Sequence, residues 1–235
     1  MLQDLISELK KVSSPERAKT SQWFFKTGKG EYGEGDVFVG ITTPLLRATI
    51  KNYKNLTFDE VQELLNSEIH EYRMAGLLIL VEQFKKAKED KRKEIYEFYL
   101  SNLNQINNWD LVDCSCRDIV GWYLFDKDRS KLYELAQTKH LWSQRVAIVS
   151  TWFFIAKKQY DDIIALSELP QMLYHKHDLM HKAVGWMLRE AWKRTGQQEV
   201  ELFLEKHAHE MPRTMLRYTI EKMSDEQRKY FMNKK

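Results

Sequence analysis

Three apolar nonapeptides recur in this chain at a regular interval, and they leave few folds open. YRMAGLLIL (72–80), QRVAIVSTW (144–152) and HKAVGWMLR (181–189) each place a basic residue second, followed by small and apolar residues in the same order. The basic residues are Arg73, Arg145 and Lys182; the first two stand 72 positions apart, twice 36, and the third follows 37 later. A repeated helical unit of that length builds an α-solenoid, because one helix pair cannot bury its apolar face without a neighbour. The period lies near those of tetratricopeptide and HEAT repeats, and the tetratricopeptide signature is absent. The expected fold is all-α: an α-α superhelix, or solenoid, of HEAT-like helix pairs in a single domain over 1–235.

The remaining sequence agrees. Amphipathic periodicity and end signals place helices over 2–12, 15–26, 44–54, 58–66, 68–87, 90–104, 108–124, 130–137, 141–158, 161–170, 177–194, 197–208, 212–222 and 225–232. Ser14-Pro15 and Thr43-Pro44 each offer a cap and a first-turn proline, and TFDE (57–60) and SDEQ (224–227) are capping boxes. One stretch breaks the pattern. GKGEYGEGDVFVGI (28–41) opens with four glycines in eight positions and continues into a β-prone run, so a short β-hairpin or an ordered loop is expected there. It lacks the spacing of a nucleotide-binding P-loop, and Glu31, Glu34 and Asp36 repel phosphate.

Composition narrows the function. A net charge of +3 is too small to imply nucleic acid by itself; what matters is whether the cations share a face. Cys114 and Cys116 diverge on a helix, so neither a disulfide nor a shared metal is expected, and a reduced cytoplasmic chain fits. The start MLQDLISELKKV lacks the pattern of a signal peptide, and no apolar run is long enough for a membrane span. His177 and His181 have helical spacing beside His175, yet no pattern completes a metal set. No cofactor signature appears.

The register singles out one place. A repeat should begin 36 residues after Arg73, at Trp109, inside NNWDLVD (107–113). There a tryptophan replaces the cation, and Asp113 stands where the other repeats carry Leu77, Val149 and Trp186. Equivalent positions on the inner helices of a solenoid line one concave surface, which groups Trp109, Asp113, Arg145 and Trp186, with Arg73, Lys182 and Arg189 extending a basic row. Such a row suits a polyanion backbone. A carboxylate between aromatics can stabilise oxocarbenium character during N-glycosidic cleavage, and a tryptophan face can hold a cationic purine. On the residues alone a second reading stays open, in which Asp113 and Arg145 form a buried ion pair locking two repeats together. Asp110 is adequately explained as a first-turn acid, and Asn108 as a cap.

WDLVD (109–113), WSQRVAI (142–148) and HKAVGWMLRE (181–190) resemble the DNA alkylation repair family, the AlkD-type DNA glycosylases, and the resemblance runs from about residue 42 to about residue 222. It implies a HEAT-like-repeat enzyme that excises N3- and N7-alkylated purines, such as 3-methyladenine and 7-methylguanine, and needs no cofactor. It further implies that Asp113 is the catalytic carboxylate, that Trp109 and Trp186 contact the lesion nucleotide, and that Arg145 binds a nearby phosphate. The sequence departs from the family at WFFKTGKGEYGEGDVFVG (23–40), where the family has a helix that helps close around the lesion; Trp23, Phe24, Phe25 and Tyr32 are the aromatics available in its place. The leading expectation is a monomeric glycosylase acting on alkylated double-stranded DNA. The alternatives are a non-catalytic binder of damaged or branched DNA and a HEAT-like protein scaffold.

Overall fold

Every residue from 70 to 81 is buried, and so is every residue from 142 to 151. A helix buried all round needs neighbours on every side, so these two repeat segments are inner helices wrapped by others, while the third, 181–189, is buried on one face. A computed structural model describes residues 1–234 of the chain, which are helical with no β-strand among them. The chain divides into two compact units, the first ending at Ser115 and the second beginning at Cys116.

The first unit contains α1 (Leu2–Lys11), α2 (Pro15–Phe24), α3 (Thr43–Thr49), α4 (Phe58–Leu65), α5 (His70–Lys86), α6 (Glu89–Ser101) and α7 (Trp109–Asp113). Its central helix is α5, against which α3, α4, α6 and α7 pack. Leu77, Leu78, Ile79 and Leu80 are fully buried there, each contributing roughly 1.5–3 kcal/mol of apolar burial. The second unit contains a π-helical turn (Arg117–Gly121), then α8 (Trp122–Leu124), α9 (Ser130–Gln137), α10 (Leu141–Ala156), α11 (Asp161–Glu168), α12 (Pro170–Leu173), α13 (Asp178–Arg194), α14 (Gln197–His207), α15 (Arg213–Ile220) and α16 (Asp225–Asn233). Here α10 packs on α9 and α13, and α13 on α14 and α15, the stepwise pairing of an α-α solenoid.

One segment takes the second of its two expected forms, and one departs from the sequence reading. Residues 26–41 form an ordered loop and no hairpin; only Val37 pairs as in a sheet, through a lone parallel bridge to Ile69. The loop is held from within the protein instead. Glu71, on the first turn of α5, accepts the backbone N–H groups of Val39, Gly40 and Ile41, at 2.7 Å for Gly40. The continuous helix expected over 108–124 is broken after α7. The Ser115 hydroxyl donates to the Leu111 carbonyl at 2.5 Å, while the Ser115 N–H turns to Val112. Such back-bonding competes with the helix ladder. Beyond the break, the π turn lies backbone to backbone on α10: a Cβ on Gly121 would stand 2.4 Å from the Ser150 carbonyl oxygen.

Gly40 joins the loop to α2. Its φ is +79°, and an added Cβ would lie 2.1 Å from the Ser14 carbonyl oxygen and 2.6 Å from the Ala18 nitrogen. Neither backbone atom can yield without moving α2. Gly40→Ala is therefore expected to cost about 1–3 kcal/mol in thermal or urea unfolding. Its extra hydrogen exchange should concentrate in residues 15–24; exchange unchanged there would contradict the docking role of Gly40.

Candidate functional site

Helix α7 is only five residues long, too short to hold itself in place, so its position depends on tertiary contacts, among them those of the side chains at its N-terminus. Asn108 precedes it and is fully buried. Its Oδ1 accepts the Trp109 N–H at 2.8 Å, and its Nδ2 donates to Asp36 Oδ2 at 3.1 Å. Asp110 accepts the Leu111 N–H on one oxygen at 2.9 Å and faces His70 Nε2 with the other at 2.8 Å. Asp36 completes the cluster. Its Oδ2 lies 3.1 Å from His70 Nδ1, and its Oδ1 accepts from Arg73 Nη2 at 2.6 Å. One buried carboxylate from the loop thus fastens two residues of α5 and the cap of α7.

The charges are tuned accordingly. Burial alone would lower the pKa of His70, but hydrogen bonds and charge from Asp110 and Asp36 outweigh it and raise the group to about 9. For Asp36 burial pushes upward; the His70 hydrogen bond, the Arg73 charge and the Asn108 amide overcome it and hold the carboxyl below its ordinary value.

Aromatic rings cover this cluster. Phe38 stacks on His70 with centroids 4.5 Å apart, and Phe25 lies 5.1 Å from the same ring. Phe25 also stacks on Trp109 at 5.3 Å, and Phe24 meets Trp109 edge-on at 6.0 Å. Of the four N-terminal aromatics that could join Trp109, these two do so, while Trp23 points outward, 78% exposed. Trp109 and Asp113 occupy one face of α7, one turn apart, and each remains partly accessible.

In the second unit the basic residues have taken internal partners to different extents. Arg145 is 4% exposed and donates through Nη1 to the Leu179 carbonyl at 2.6 Å, at the first turn of α13. Lys182 pairs with Asp178 at 2.6 Å on the surface. Arg189 pairs with Glu190 at 3.6 Å and also contacts Glu221. Trp186 is partly accessible on α13. In the first unit, Arg73 departs from a place in an accessible basic row: it is 4% exposed, and Asp36 and the Ser67 carbonyl occupy its guanidinium.

The three histidines near α13 serve its start. His175 Nε2 faces Gln144 Oε1 at 2.9 Å, and its Nδ1 accepts the His177 N–H at 2.9 Å. His177 Nδ1 accepts the Leu179 N–H at 3.1 Å, capping the helix. Among the described residues no group of three or more His, Cys, Asp or Glu is placed to hold a metal.

The sequence pattern of the DNA alkylation repair enzyme family matches residues 5–223. The chain belongs to this family. Among solved structures it is similar to one described as a predicted DNA alkylation repair enzyme from Enterococcus faecalis, with a TM-score of 0.68 and 16% identity, over 91% of this chain and 97% of that one. At that identity the likeness concerns the fold. No curated protein matches the chain. Family membership supports a role in DNA repair, and no helix among the described residues is long and apolar enough to cross a membrane.

Sequence reasoning missed Asp36, His70 and Glu71. A signal was present: HEYR (70–73) puts His70, Glu71 and Arg73 at the head of an otherwise apolar buried helix, which demands partners. A group whose pKa is raised by folding stabilises the fold below its unfolded value and loses that effect as pH climbs through its folded value. The contribution of His70 is therefore complete below about pH 6.5 and lost as pH rises through about 9. Its full size is on the order of 3 kcal/mol. Urea unfolding across that window should show the decline in wild type and a flatter profile in His70→Gln.

Proposed function

We propose that the protein is a monofunctional DNA glycosylase that binds duplex DNA and hydrolyses the N-glycosidic bond of N3- and N7-alkylated purines. The observation that carries this reading is the pairing on α7 of an aromatic and a carboxylate one turn apart, Trp109 and Asp113, both partly accessible. An N3- or N7-alkylated purine bears positive charge. A tryptophan face attracts such a base, by about 0.5–2 kcal/mol. When the C1′–N bond breaks, its electron pair goes to the base, which leaves neutral, and positive charge moves onto the sugar. A carboxylate at that point stabilises the charge and orients the water that adds to C1′, giving an abasic site and a released proton.

The family resemblance supplies the other roles. Trp186 contacts the lesion nucleotide, and Arg145 meets a phosphate near it; the basic row read from the repeat spacing adds Lys182 and Arg189 as further phosphate contacts. The surface pair Lys182–Asp178 contributes little to stability, about 0–1 kcal/mol, so the lysine can exchange its partner for a phosphate at small cost. Arg73 is occupied in holding Asp36. The reading includes a monomeric, cytoplasmic protein that works without a cofactor.

One observation favours a second reading. Phe25 already covers a face of Trp109, which suits a binder of damaged or branched DNA that uses the same residues without excision.

The decisive experiment incubates the protein with N-methylated DNA and measures released 7-methylguanine and 3-methyladenine. Release by the wild type is expected to fall about 100- to 1000-fold in Asp113→Asn while DNA affinity holds. No release from the wild type, together with tight binding to branched DNA, would establish the second reading. For the phosphate contacts, Lys182→Ala should lower the slope of log K against log salt by about 0.9. An unchanged slope would remove Lys182 from the interface.

A further inference from the structure

Helix α7 bears Trp109 and Asp113 but has a single hydrogen-bonded turn, so whatever grips its first residues sets where both side chains stand. Its first residues are tethered from outside its own backbone by Asn108 to Asp36 and by Asp110 to His70. The second differs in kind, because both ring nitrogens of His70 face carboxylate oxygens, Asp36 Oδ2 at 3.1 Å and Asp110 Oδ2 at 2.8 Å. An ionised carboxylate only accepts hydrogen bonds. Both nitrogens must then carry hydrogen, and the ring is an imidazolium, with Phe38 stacked on it and Phe25 beside it.

We propose that the His70 imidazolium is a positioning residue for the lesion site: clamped between Asp36 and Asp110 and covered by Phe25 and Phe38, it fixes the Phe25–Trp109 stack and, through α7, the placement of Asp113. The consequence for activity rests on the glycosylase reading; the consequence for Trp109 does not. The charged groups around the ring are few. The loop presents Asp36, α7 presents Asp110, and α5 itself adds Arg73 on the far oxygen of Asp36 and Glu71 turned to the backbone of 39–41. The segment after α2 faces the ring only with Phe25.

With His70 charged, two carboxylates are matched by two cations. Loss of its proton leaves Asp36 and Asp110 with Arg73 alone, and one ring nitrogen then confronts a carboxylate lone pair against lone pair. Among the described residues Asp110 pairs with no cation but His70, so the Asp110 tether of α7 is the contact that weakens. The raised pKa of His70, about 9, agrees with an imidazolium at neutral pH. A residue that only packed the core would hold Trp109 equally well in either protonation state.

The test compares wild type and H70Q, each with a Trp109→Phe counterpart that serves as the blank for the other six tryptophans of the chain. Trp109 fluorescence, taken by difference, is followed from about pH 6 to about pH 10, the range that brackets the histidine. The wild-type signal is expected to change with a midpoint near 9, and H70Q to show the alkaline signal at every pH. In single-turnover release of 7-methylguanine, H70Q should be about 10- to 100-fold slower with its DNA affinity nearly unchanged. The wild-type rate should fall over the same alkaline range.

A wild-type Trp109 signal that is flat with pH, or an H70Q protein matching wild type in signal and rate, overturns the proposal. If H70Q does not fold, the wild-type titration alone decides. If the wild type releases no base, the glycosylase reading fails while the fluorescence titration still judges His70.

Discussion

The first unit depends on one buried carboxylate. Asp36 belongs to a loop with no secondary structure of its own, yet it receives Arg73 on one oxygen and His70 with Asn108 on the other. The four charged groups Asp36, Asp110, His70 and Arg73 balance one another, which is what lets all but Asp110 sit at a few per cent exposure. Taking away any one member strands a charge in a medium that cannot solvate it. The arrangement therefore acts as a unit: the loop, α5 and α7 are registered against one another by ionic geometry, where apolar contacts alone would allow sliding.

Much of the architecture was legible in the sequence. The repeat of a cation followed by small and apolar residues located α5, α10 and α13, because burial on all sides of the first two and on one broad face of α13 leaves a recurring apolar composition. Caps fixed the starts of α4 and α16, where both capping boxes form. The break after α7 was hidden. It arises from a serine hydroxyl outcompeting its own backbone, and nothing in LVDCSCRD distinguishes that serine from an ordinary helical one.

The site was legible only in outline. Spacing put Trp109 and Asp113 on a common face, and α7 has that form. Asp110, explained along the chain as a first-turn acid, has a tertiary partner forty residues away in His70. Asp36 reads as a surface acid among other acids, but the nearby Phe38 is buried and Arg73 meets the carboxylate inside. Arg73 shows the converse: a repeat position shared with Arg145 and Lys182 does not ensure a shared environment, since only Lys182 of the three keeps its charge at the surface. Pairings at long sequence separation carry no periodic trace, so pattern reading finds the residue types without their partners.

Helix α2 stands apart from this scheme. None of its ten residues is buried, and its last residues, Trp23 and Phe24, are largely exposed. Its hold on the unit comes from Gly40 beneath its first turn and from the rings just past its end. A segment so attached belongs to the low-stability end of the molecule. In evolutionary terms it is the part freest to change: substitutions on its outer face leave the core untouched, so the stretch bordering Trp109 can be rewritten for new contacts while the ionic cluster below keeps the fold.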